Sequence, residues 1–583
     1  MNGALARWLP LFADLRRAGR DTLAADGLAG TVTAILLIPQ ALAYALLAGL
    51  PPQVGLYASV LPVLVYALLG SSRTLAVGPV AVAAVMVTTA LTPYADGDME
   101  KYVAGALILA ALSGAILLAM AALRLGWLTH FISHPVLSGF TTAAAIFIIG
   151  TQLSALTGIP VPRDANLPGI VRALLAHAEA FNTATAAFGL AALVLLFAAR
   201  KPLTRVLVAR GIKPAQAAIA GRTAPLVLVA VTTLISALTD AEKRWQVAVV
   251  GPIPQGLPGL SLAFLQEPGW AALLPAAVMI ALIGYIESIS VAKALALRRG
   301  EKIDADQELL ALGGTNLMAA CAGAMPVCGG FARSMVNFDA GARTQLAAVV
   351  TALWVALAAF AFTGLLAALP KSVLAAIIVV AVWQLVDFPS LFHTWHYDRG
   401  DGAAQAATML GVLGFGIEVG LMLGVGLSLL LFLYRTSRPH IAVIGRLGES
   451  EHYRNVLRHV VETWPDLLLV RLDETLYFAN APRVETELQN LIAGRKDLCD
   501  VVLVMSGVAY IDSSGLDVLE SLERGLAERG IRLHLAEVKG PVMDRLKDTA
   551  LCRRLSDDRI HLSTHAAVQA LRRVDRADAR PGR

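Results

Sequence analysis

Long apolar runs separated by short polar connections fill the first three quarters of the chain. About fourteen runs can be delimited, at residues 27–47, 52–70, 79–92, 102–123, 135–157, 181–199, 222–238, 271–297, 308–323, 330–338, 344–368, 372–388, 403–418 and 419–435. A helix needs about 20 apolar residues to cross the hydrocarbon core, and several of these runs are shorter. The pattern predicts an α-helical polytopic membrane protein with about 14 transmembrane segments, in which the shortest runs are half-helices completed by extended backbone.

Two Pro/Gly breaks interrupt the apolar pattern where the runs are shortest. One covers residues 324–337 and precedes a helix predicted to begin near Phe331, and the other covers residues 74–81 and places Pro79 in the first turn of a helix. Lipid cannot satisfy free backbone N–H and C=O groups, so we expect both breaks to line a wet cavity. Two helix N-termini that face one cavity favour an anion as its occupant.

The position of the breaks also predicts an internal symmetry. They fall in the third and the tenth elements, which are seven apart. If the chain consists of two halves of seven elements each, the odd number of elements makes the second half inverted relative to the first. If all fourteen elements are counted as membrane segments, the loops richest in basic residues lie on one side of the membrane. These basic residues are Arg200, Lys201, Arg205, Arg210, Lys213, Arg298, Arg299, Lys302, Arg435 and Arg438. We therefore expect a multi-pass protein of the cell (inner) membrane with both termini cytoplasmic and residues 1–26 as an amphipathic cytoplasmic lead.

Composition narrows the class of protein. Hydrophobic residues make up 57% of the chain and charged residues 16%, and the mean hydropathy is +0.66, which excludes a soluble globule for the first three quarters. The net charge of +5 is modest and its basic residues lie in short loops, so we expect no nucleic-acid partner. The four cysteines have no metal-ligand spacing, and the membrane part contains no P-loop and no nucleophile–base pair. The sequence predicts no catalytic residues, no metal, no cofactor and no enzyme.

The chain becomes richer in charge after Pro439. Strands are predicted at Leu467–Leu472, Val501–Met505 and Arg532–Glu537, and amphipathic helices at Pro482–Ala493 and Ser514–Arg529. The predicted domains are therefore a transmembrane transporter domain at 27–438, a small cytoplasmic α/β domain at 439–575 and a disordered tail at 576–583.

Several motifs, in order along nearly the whole chain, resemble the SulP (sulfate permease) family of anion transporters. They are Ile38–Tyr57 (IPQALAYALLAGLPPQVGLY), Gly70–Pro79 (GSSRTLAVGP) and the segment 329–346, and the tail resembles the STAS domain of that family, down to Tyr510–Leu516 (YIDSSGL). The resemblance implies a 7+7 inverted repeat with core and gate domains. It also implies a homodimer that moves small anions by an elevator-like shift of the core domain.

Arg333 is the first candidate for anion binding. A fixed cation within a membrane is costly unless it faces water, a partner or an anion, so the alternative to anion attraction is pairing with Glu287 or with backbone carbonyls. Family members commonly have Ser or Thr immediately before this arginine, and this chain has Ala332, so one hydroxyl ligand is missing. Backbone N–H groups near Phe331 and Ala332 remain as donors, and the side chain of Ser334 is free to face either way.

The other predicted substrate-binding residues come from the first half of the chain. Val80 and Ala81 begin the first half-helix, opposite Phe331. Gln40 and Tyr44 lie one helical turn apart on the first span, so they can present an amide and an aromatic edge to the same cavity. Residues of these types line the anion pocket of the family, and interhelical packing is the alternative role for both.

Glu287 is the second charge expected inside the membrane. Burial disfavours a charged carboxylate, so Glu287 is the candidate for proton coupling, and a permanent ion pair is the alternative. Sodium-coupled bicarbonate members of the family favour Asp at this place with Thr one turn later. The corresponding residue here is Val291, and the lost oxygen weakens a sodium site.

Ser513 and Ser514 are weak regulatory candidates. Related bacterial anti-sigma antagonists are phosphorylated on a serine of this motif, whereas a helix-capping loop with Asp512 or Ser513 as the cap is the favoured interpretation for a transporter tail. The STAS domain is also where we would expect a cytoplasmic protein partner.

The leading hypothesis is a secondary transporter of sulfate, bicarbonate or a dicarboxylate, coupled to protons, with the lipid membrane as its environment. The alternatives are a nucleobase carrier of the same fold, a sodium-coupled bicarbonate transporter and a channel-like anion conductor. A nucleobase carrier usually has a second acid near the tenth segment, where this chain has Arg333, and it lacks a STAS tail.

Overall fold

The computed structural model describes residues 9–131, 133–162, 165–199, 205–206, 208–211, 214–257 and 259–578. The predicted topology residues Arg200, Lys201 and Lys213, the first eight residues of the predicted lead and residues 579–583 of the predicted tail lie outside this range. The chain forms two compact units, Met1–Ser428 and Leu429–Arg583.

The first unit is helical. Its helices are α1 (Pro10–Arg17), α2 (Arg20–Leu47), α3 (Pro52–Tyr57), α4 (Leu61–Leu69), α5 (Ala81–Ala95), α6 (Met99–Ala122), α7 (His134–Thr157), α8 (Leu167–Ala176), α9 (Thr183–Ala199), α10 (Pro214–Thr239), α11 (Ala241–Trp245), α12 (Trp270–Leu297), α13 (Ala305–Cys321), α14 (Phe331–Asp339), α15 (Leu346–Ala361), α16 (Thr363–Leu366), α17 (Lys371–Trp383), α18 (Phe388–Tyr397), α19 (Arg399–Phe415) and α20 (Ile417–Thr436), the last of which ends in the second unit. Among the described residues, seven helical stretches are long and apolar enough to cross a membrane, and five further apolar helices are shorter.

Each of the fourteen predicted runs falls on a helix, with differences at the ends, whereas α8 and α11 lie outside every predicted run. The first long helix, α2, begins at Arg20, seven residues before the predicted start, because no helix breaker separates the polar lead from the apolar run. The run 52–70 is divided between α3 and α4, and the run 344–368 between α15 and α16. The run 372–388 ends earlier than predicted, at Trp383, and a separate helix follows it.

A short pair of strands joins the two breaks. Strand β1 (Val77–Gly78) pairs antiparallel with β2 (Cys328–Gly329), with Val77 opposite Gly329 and Gly78 opposite Cys328. Helices α5 and α14 begin immediately after these strands. The prediction of half-helices completed by extended backbone is therefore correct, and the antiparallel pairing is what an inverted relation between the two halves requires.

Glycines allow close helix packing between α6 and α13. A Cβ at Gly114 would lie 2.7 Å from the backbone nitrogen of Leu317, and a Cβ at Gly313 would lie 2.8 Å from the side chain of Leu118. Only a residue without a side chain fits at either position, which is typical of helix contacts in membranes. Because α13 leads into β2 and α6 follows α5, this contact fixes the two elements that carry the breaks.

The second unit contains a six-stranded mixed sheet. Its strands are β3 (Ile441–Arg446), β4 (Tyr453–Asn455), β5 (Leu467–Leu472), β6 (Asp500–Val504), β7 (Arg532–Ala536) and β8 (Ile560–His561), in the order β4-β3-β5-β6-β7-β8. Strand β3 is antiparallel to both neighbours, and β5 to β8 are parallel. Helices α21 (Ala481–Ala493), α22 (Ser513–Ala527), α23 (Gly540–Leu546) and α24 (Ala550–Leu555) contribute to the core on one face, and α25 (Thr564–Asp578) contributes to that on the other.

The five elements predicted for this unit lie within two residues of the observed ones, whereas β3, β4, β8, α23, α24 and α25 were not predicted. Strand β5 has the predicted bounds, while β6 and α22 begin one residue before the predicted start. Helix α25 continues to Asp578, so residues 576–578 of the predicted disordered tail are helical. The division between the units falls at Ser428 and Leu429, and the proposed domain boundary at 438–439 stays a prediction.

Candidate functional site

A central cavity lies where α5 and α14 begin, and it contains every residue predicted to bind substrate. Its volume is about 40 Å³. Its lining includes Gln40, Tyr44, Val80, Ala81, Glu287, Phe331, Ala332 and Arg333. The remaining wall is formed largely by apolar residues of α7 and α17. The structure therefore brings together the predicted residues from three separate parts of the sequence, although their roles stay predictions.

Both half-helices present uncapped N-termini at this cavity. Val80 is the N-cap of α5 and Gly330 is the N-cap of α14, and neither supplies a side-chain cap. The first intrahelical bonds of the two helices begin with the N–H groups of Ala84 and Ser334. The three N–H groups before each of these residues have no intrahelical acceptor, so they can donate to a ligand.

Pro79 lies outside the helix, which corrects its predicted place in the first turn. The first helical residue is Ala81, so Pro79 precedes the N-cap. The extended backbone that β1 imposes on the break delays the helix by two residues. This shift has a consequence for the site, because the carbonyl of Pro79 now points toward Arg333 and accepts a hydrogen bond from it.

Arg333 makes a hydrogen bond at one end of its guanidinium, whereas the nitrogens at the other end are buried without a partner among the described residues. Its side chain is 2% exposed, and Nη1 donates to the carbonyl oxygen of Pro79 at 2.6 Å. The buried Nε and Nη2 atoms have no hydrogen-bond partner among the described residues. A Cβ at Gly78 would lie 3.3 Å from Nη2 and one at Gly330 only 3.1 Å, so the two glycines make room for the guanidinium. An anion in the cavity would complete its hydrogen bonds.

Glu287 lines the same cavity without pairing with Arg333. Its buried Oε2 has no hydrogen-bond partner in the described part of the chain, and no nitrogen of Arg333 lies within 4.0 Å of the carboxylate. The permanent ion pair that was the alternative role for both residues is therefore not formed. Of the two alternatives for Arg333, only bonding to a backbone carbonyl occurs, and it uses one nitrogen of three.

Gln40 and Tyr44 face the cavity from α2. Each is 6% exposed, and neither side chain has a hydrogen-bond partner within the described ranges. Their polar atoms are therefore available to a ligand rather than committed to neighbouring helices. The helical spacing that suggested a shared face is correct.

Ser334 and Asn337 fix α14 to the opposite break instead of facing the cavity. The hydroxyl of Ser334 accepts a hydrogen bond from the N–H of Ala76 at 2.9 Å and donates to the carbonyl of Gly330 at 2.7 Å. The Asn337 amide donates to the carbonyl of Thr74 at 3.1 Å. The sequence did not predict which way Ser334 points. The available signal for a shared face was the three-residue spacing of Ser334 and Asn337 on this short helix.

Sequence reasoning missed the polar side chains that hold β2. The hydroxyl of Ser288, on α12, accepts from the N–H of Gly329 at 2.7 Å. The amide of Asn316, on α13, both donates to the carbonyl of Val327 and accepts from its N–H, each at 2.9 Å. An Asn or Ser within an apolar run was the only trace of this role in the sequence.

A buried carboxylate holds the motif that leads into β1. Oε1 of Glu308 accepts from the backbone N–H groups of Ser71 and Ser72 at 2.8 and 3.0 Å, and from the hydroxyl of Ser71 at 2.8 Å. Oε2 accepts from the hydroxyl of Tyr66 at 2.8 Å. The carboxylate therefore acts as a cap for an irregular turn, which otherwise has no backbone acceptor for these N–H groups.

Two larger cavities lie along the same helices, one on each side of the central one. The first, which we call the Gln384 vestibule, shares Gln40, Ala332, Arg333 and Ala381 with the central cavity. The second, which we call the Lys371 vestibule, shares no lining residue with it. The central cavity is thus contiguous with the Gln384 vestibule and separated from the Lys371 vestibule.

In the second unit, Asp512 forms the predicted cap. Its carboxylate accepts from the N–H of Gly515 at 2.9 Å, and α22 begins at Ser513. The side chain of Ser513 is exposed and that of Ser514 is half-buried. Capping accounts for the Asp512–Gly515 sequence without phosphorylation, which stays a prediction for both serines.

Comparison with known proteins agrees with this architecture. The family described as "Sulfate permease family" matches residues 23–408, and the STAS domain matches residues 458–567. A probable sulfate transporter 4.2 of Arabidopsis thaliana is 35% identical over 555 residues, which cover 93% of this chain and 80% of the relative. A probable sulfate transporter of Mycobacterium tuberculosis is 32% identical over 579 residues, with 97% and 99% covered.

Solved structures share the fold. The murine anion transporter Slc26a9 in its inward-facing state has a TM-score of 0.88 at 23% identity, covering 98% of this chain and 95% of that one. The transmembrane domain of the cyanobacterial bicarbonate transporter BicA has a TM-score of 0.59 at 22% identity, covering 70% and 99%. The helical membrane fold with a C-terminal STAS domain is confirmed, and the relatives are transporters rather than enzymes. The chain therefore belongs to the sulfate permease family of multi-pass anion transporters.

Proposed function

We propose that this protein is a secondary active transporter that binds one small oxyanion in the central cavity. The observation that carries the proposal is the pair of unpartnered nitrogens, Nε and Nη2, on buried Arg333. They lie in a cavity onto which two uncapped helix N-termini open. A buried cation with free donors beside two positive dipole ends is an arrangement that favours an anion strongly over a neutral ligand.

Sulfate is the first anion to test. Relatives that are 30–35% identical carry the name sulfate transporter, which supports a tetrahedral oxyanion as cargo. A site built from backbone N–H groups and one guanidinium recognises charge better than shape, so bicarbonate and a dicarboxylate belong in the same test. Gln40 and Tyr44 would supply the remaining polar contacts.

Glu287 is the proposed proton carrier. Its Oε2 has no partner and it shares the cavity with Arg333 without an ion pair, so the carboxyl is free to change protonation state when the anion enters or leaves. A sodium site is disfavoured because Val291, one turn later on α12, supplies no oxygen. The proposed reaction is symport of an anion with a proton.

The movement and the assembly are also proposals. An elevator-like shift of the core domain would transfer the cavity from the Gln384 vestibule to the Lys371 vestibule, which line successive turns of α17. We further propose a homodimer in the cell membrane with both termini in the cytoplasm, in keeping with the family resemblance. A protein partner of the STAS domain remains a separate hypothesis.

Uptake into proteoliposomes tests the function. Radiolabelled sulfate, bicarbonate, succinate and a nucleobase would be offered with and without an inward proton gradient, and separately with a sodium gradient. We expect uptake of at least one anion to accelerate with the proton gradient. The Glu287→Gln variant should still exchange that anion but lose the acceleration, because the amide mimics the protonated acid and cannot release a proton.

Glu418→Gln is the matched control, because Glu418 lies in the first turn of another apolar helix and lines none of the three cavities. Proton acceleration that survives in the Glu287 variant would remove Glu287 as the carrier. Acceleration by sodium alone would replace proton coupling with sodium coupling, and uptake of a nucleobase with no anion would overturn the anion assignment. Flux at channel-like rates without coupling would favour an anion conductor.

A further inference from the structure

The Lys371 vestibule is a large space with polar side chains and one lysine among its described lining residues. It has a volume of about 690 Å³ and is walled by residues of α2, α5, α7 and α17 together with the connections between helices. Of the described residues that line it, Lys371 alone is charged. Neutral polar side chains such as Gln152, Asn182 and Thr185 accompany it.

The described part of the chain contains no counter-charge for the ammonium of Lys371. No carboxylate lies within 4.0 Å of it among the described residues, and its side chain makes no hydrogen bond there. Lys371 is also the first residue of α17, where the positive end of the helix dipole disfavours a cation. Packing therefore does not explain a lysine at this position, and the same positive potential would attract an anion.

The backbone holds Lys371 firmly in the vestibule wall. Its N–H donates to the carbonyl of Ala248 at 2.8 Å, and the N–H of Val250 donates to the carbonyl of Leu369 at 2.9 Å. Val249 and Pro370 form the antiparallel bridge between these two bonds. The ammonium is thus attached to a fixed point and moves only through its own side-chain torsions.

The vestibule lies on the same path as the central cavity. On α7, Ile148 lines the central cavity and Gln152, one turn later, lines the vestibule. On α17, Ala381 lines the central cavity and lies ten residues after Lys371, a distance of about 15 Å along a helix. Lys371 is therefore too far away to touch an anion beside Arg333, and any anion it binds occupies a separate position.

We propose that Lys371 binds small inorganic anions transiently at a waiting position in its vestibule, before they enter the central cavity. The proposal rests on the anion transport proposed above. One fixed cation in a concave space, whose other described lining residues are uncharged, raises the local concentration of anions and hence the rate of their encounter with the site. The effect is electrostatic, so added salt should weaken it.

The test compares transport from the two sides of the membrane. Initial rates of radiolabelled sulfate uptake are measured in intact cells that express the full chain and in inside-out vesicles from the same cells. In the preparation that exposes the vestibule, Lys371→Gln should raise the KM for sulfate roughly three- to tenfold and leave the maximal rate almost unchanged. In the other preparation, the KM should change little. The increase of KM with ionic strength should also become shallower, while Lys371→Arg should behave as the wild type.

Lys243→Gln is the matched control. Lys243 lies on the same side of the membrane unit as Lys371, because its loop continues to Ala248, whose carbonyl accepts from the N–H of Lys371. Its ammonium is 4.0 Å from the carboxylate of Asp240, and it does not line the vestibule. This variant should leave KM and its salt dependence unchanged. If Lys371→Gln fails to fold, Lys371→Met keeps the length of the side chain without the charge and serves the same comparison.

The outcomes separate this proposal from the one on which it rests. An unchanged KM in the Lys371 variants would overturn the waiting position and leave anion transport intact. A lower maximal rate with an unchanged KM would also overturn the waiting position, because Lys371 would then act on the movement of α17. Equal increases of KM on both sides would likewise refute a vestibule site. Absence of sulfate transport by the wild-type protein would instead count against the proposed function itself.

Discussion

Arg333 and Pro79 connect the two halves of the membrane unit through one hydrogen bond, from guanidinium Nη1 to the proline carbonyl, at 2.6 Å. A residue in the first turn of α14 is thereby fixed to the residue before the N-cap of α5. Since this bond uses only one end of the guanidinium, Nε and Nη2 stay available in the cavity. The arrangement separates a structural task from a binding task within one side chain.

The first prediction concerns this division of tasks. Arg333→Lys keeps the charge but replaces a planar fork with a single ammonium, which cannot bond to Pro79 and chelate an anion together. We expect the Kd for the transported anion, measured by calorimetric titration in detergent, to rise about tenfold, equivalent to about 1.4 kcal/mol. Arg333→Glu should weaken binding further, because a carboxylate at two converging helix N-termini repels the ligand.

Arg298→Lys provides the control for Arg333. Arg298 follows the last residue of α12 and is exposed, so its substitution should leave affinity unchanged. Equal affinities of the wild type and of both Arg333 variants, each correctly folded, would assign Arg333 a structural role alone.

The second prediction concerns the support of β2. Ser288→Ala removes the acceptor of the Gly329 N–H and leaves that buried group unsatisfied, at a cost of about 1–3 kcal/mol. We expect a lower melting temperature in detergent and weaker anion binding, since β2 immediately precedes α14. Ser290→Ala, on the same helix and without a hydrogen bond of this kind, should change neither. A Ser288 variant with wild-type melting and affinity would show that the β1–β2 pair needs no such support.

Local chemistry predicted the breaks well. Gly329, Gly330 and the apolar run after them were sufficient to place the start of α14 at Phe331, because backbone freedom and helix initiation depend on neighbouring residues. The same holds for Asp512 as the cap of α22. Such features are encoded within a few residues of the place where they act.

The supports of the site could not be predicted in the same way. Glu308 bonds to Ser71 across 237 residues of sequence, and Ser288 bonds to Gly329 across 41. A polar residue in an apolar run predicts that its side chain has a hydrogen-bond partner. It does not predict which residue the partner is, because the partner depends on how the helices pack. The position of Pro79 outside its helix has the same origin, because β1 forms only when β2 is present.

The third prediction uses that distant contact. Glu308→Ala deprives two backbone N–H groups and the hydroxyl of Tyr66 of their acceptor, and we expect a loss of stability of about 3 kcal/mol or more. Glu308→Gln should be much milder. Its amide oxygen can take the place of Oε1, and its NH₂ group can donate to Tyr66 if that hydroxyl reverses its role.

Thermal unfolding of the full chain measures both Glu308 variants. Glu301→Gln is the comparison, since its ion pair with Arg73, at 3.3 Å, is partly exposed and should contribute no more than about 1 kcal/mol. If Glu308→Ala unfolds at the wild-type temperature, the buried carboxylate is not what holds the Gly70–Pro79 motif in place.

The last prediction concerns a cluster of titratable groups on the sheet of the second unit. His534 Nδ1 lies 3.1 Å from His561 Nε2, and the two rings are stacked with centroids 5.3 Å apart. His534 Nε2 lies 3.1 Å from Oδ1 of Asp500, which also accepts from Nε of Arg532 at 2.7 Å. Burial, followed by the charge of His534, lowers the pKa of His561, and the carboxylate of Asp558 only partly opposes this.

The sign of the pH dependence follows from these shifts. Since the pKa of His561 is lower in the folded protein than its ordinary value of about 6.5, the unfolded state binds the proton more readily. Stability from this residue is therefore fully present above about pH 6.5 and decreases as the pH falls below it. Burial alone would raise the pKa of Asp500, but hydrogen bonds and charges from His534 and Arg532 outweigh it and lower that pKa, so its contribution is lost only at more acidic pH.

Hydrogen exchange of the full chain in detergent measures the effect locally. Strand β8 is a two-residue edge strand that carries His561, and α25 follows it, so protection of their amides should fall between about pH 7 and pH 5 after correction for intrinsic exchange. His561→Gln should abolish most of this pH dependence, because the amide does not titrate. His459→Gln, at an exposed position of the same unit, should retain the pH dependence of amide protection. Equal protection at the two pH values in the wild-type protein would mean that the stacked histidines do not govern the stability of this edge.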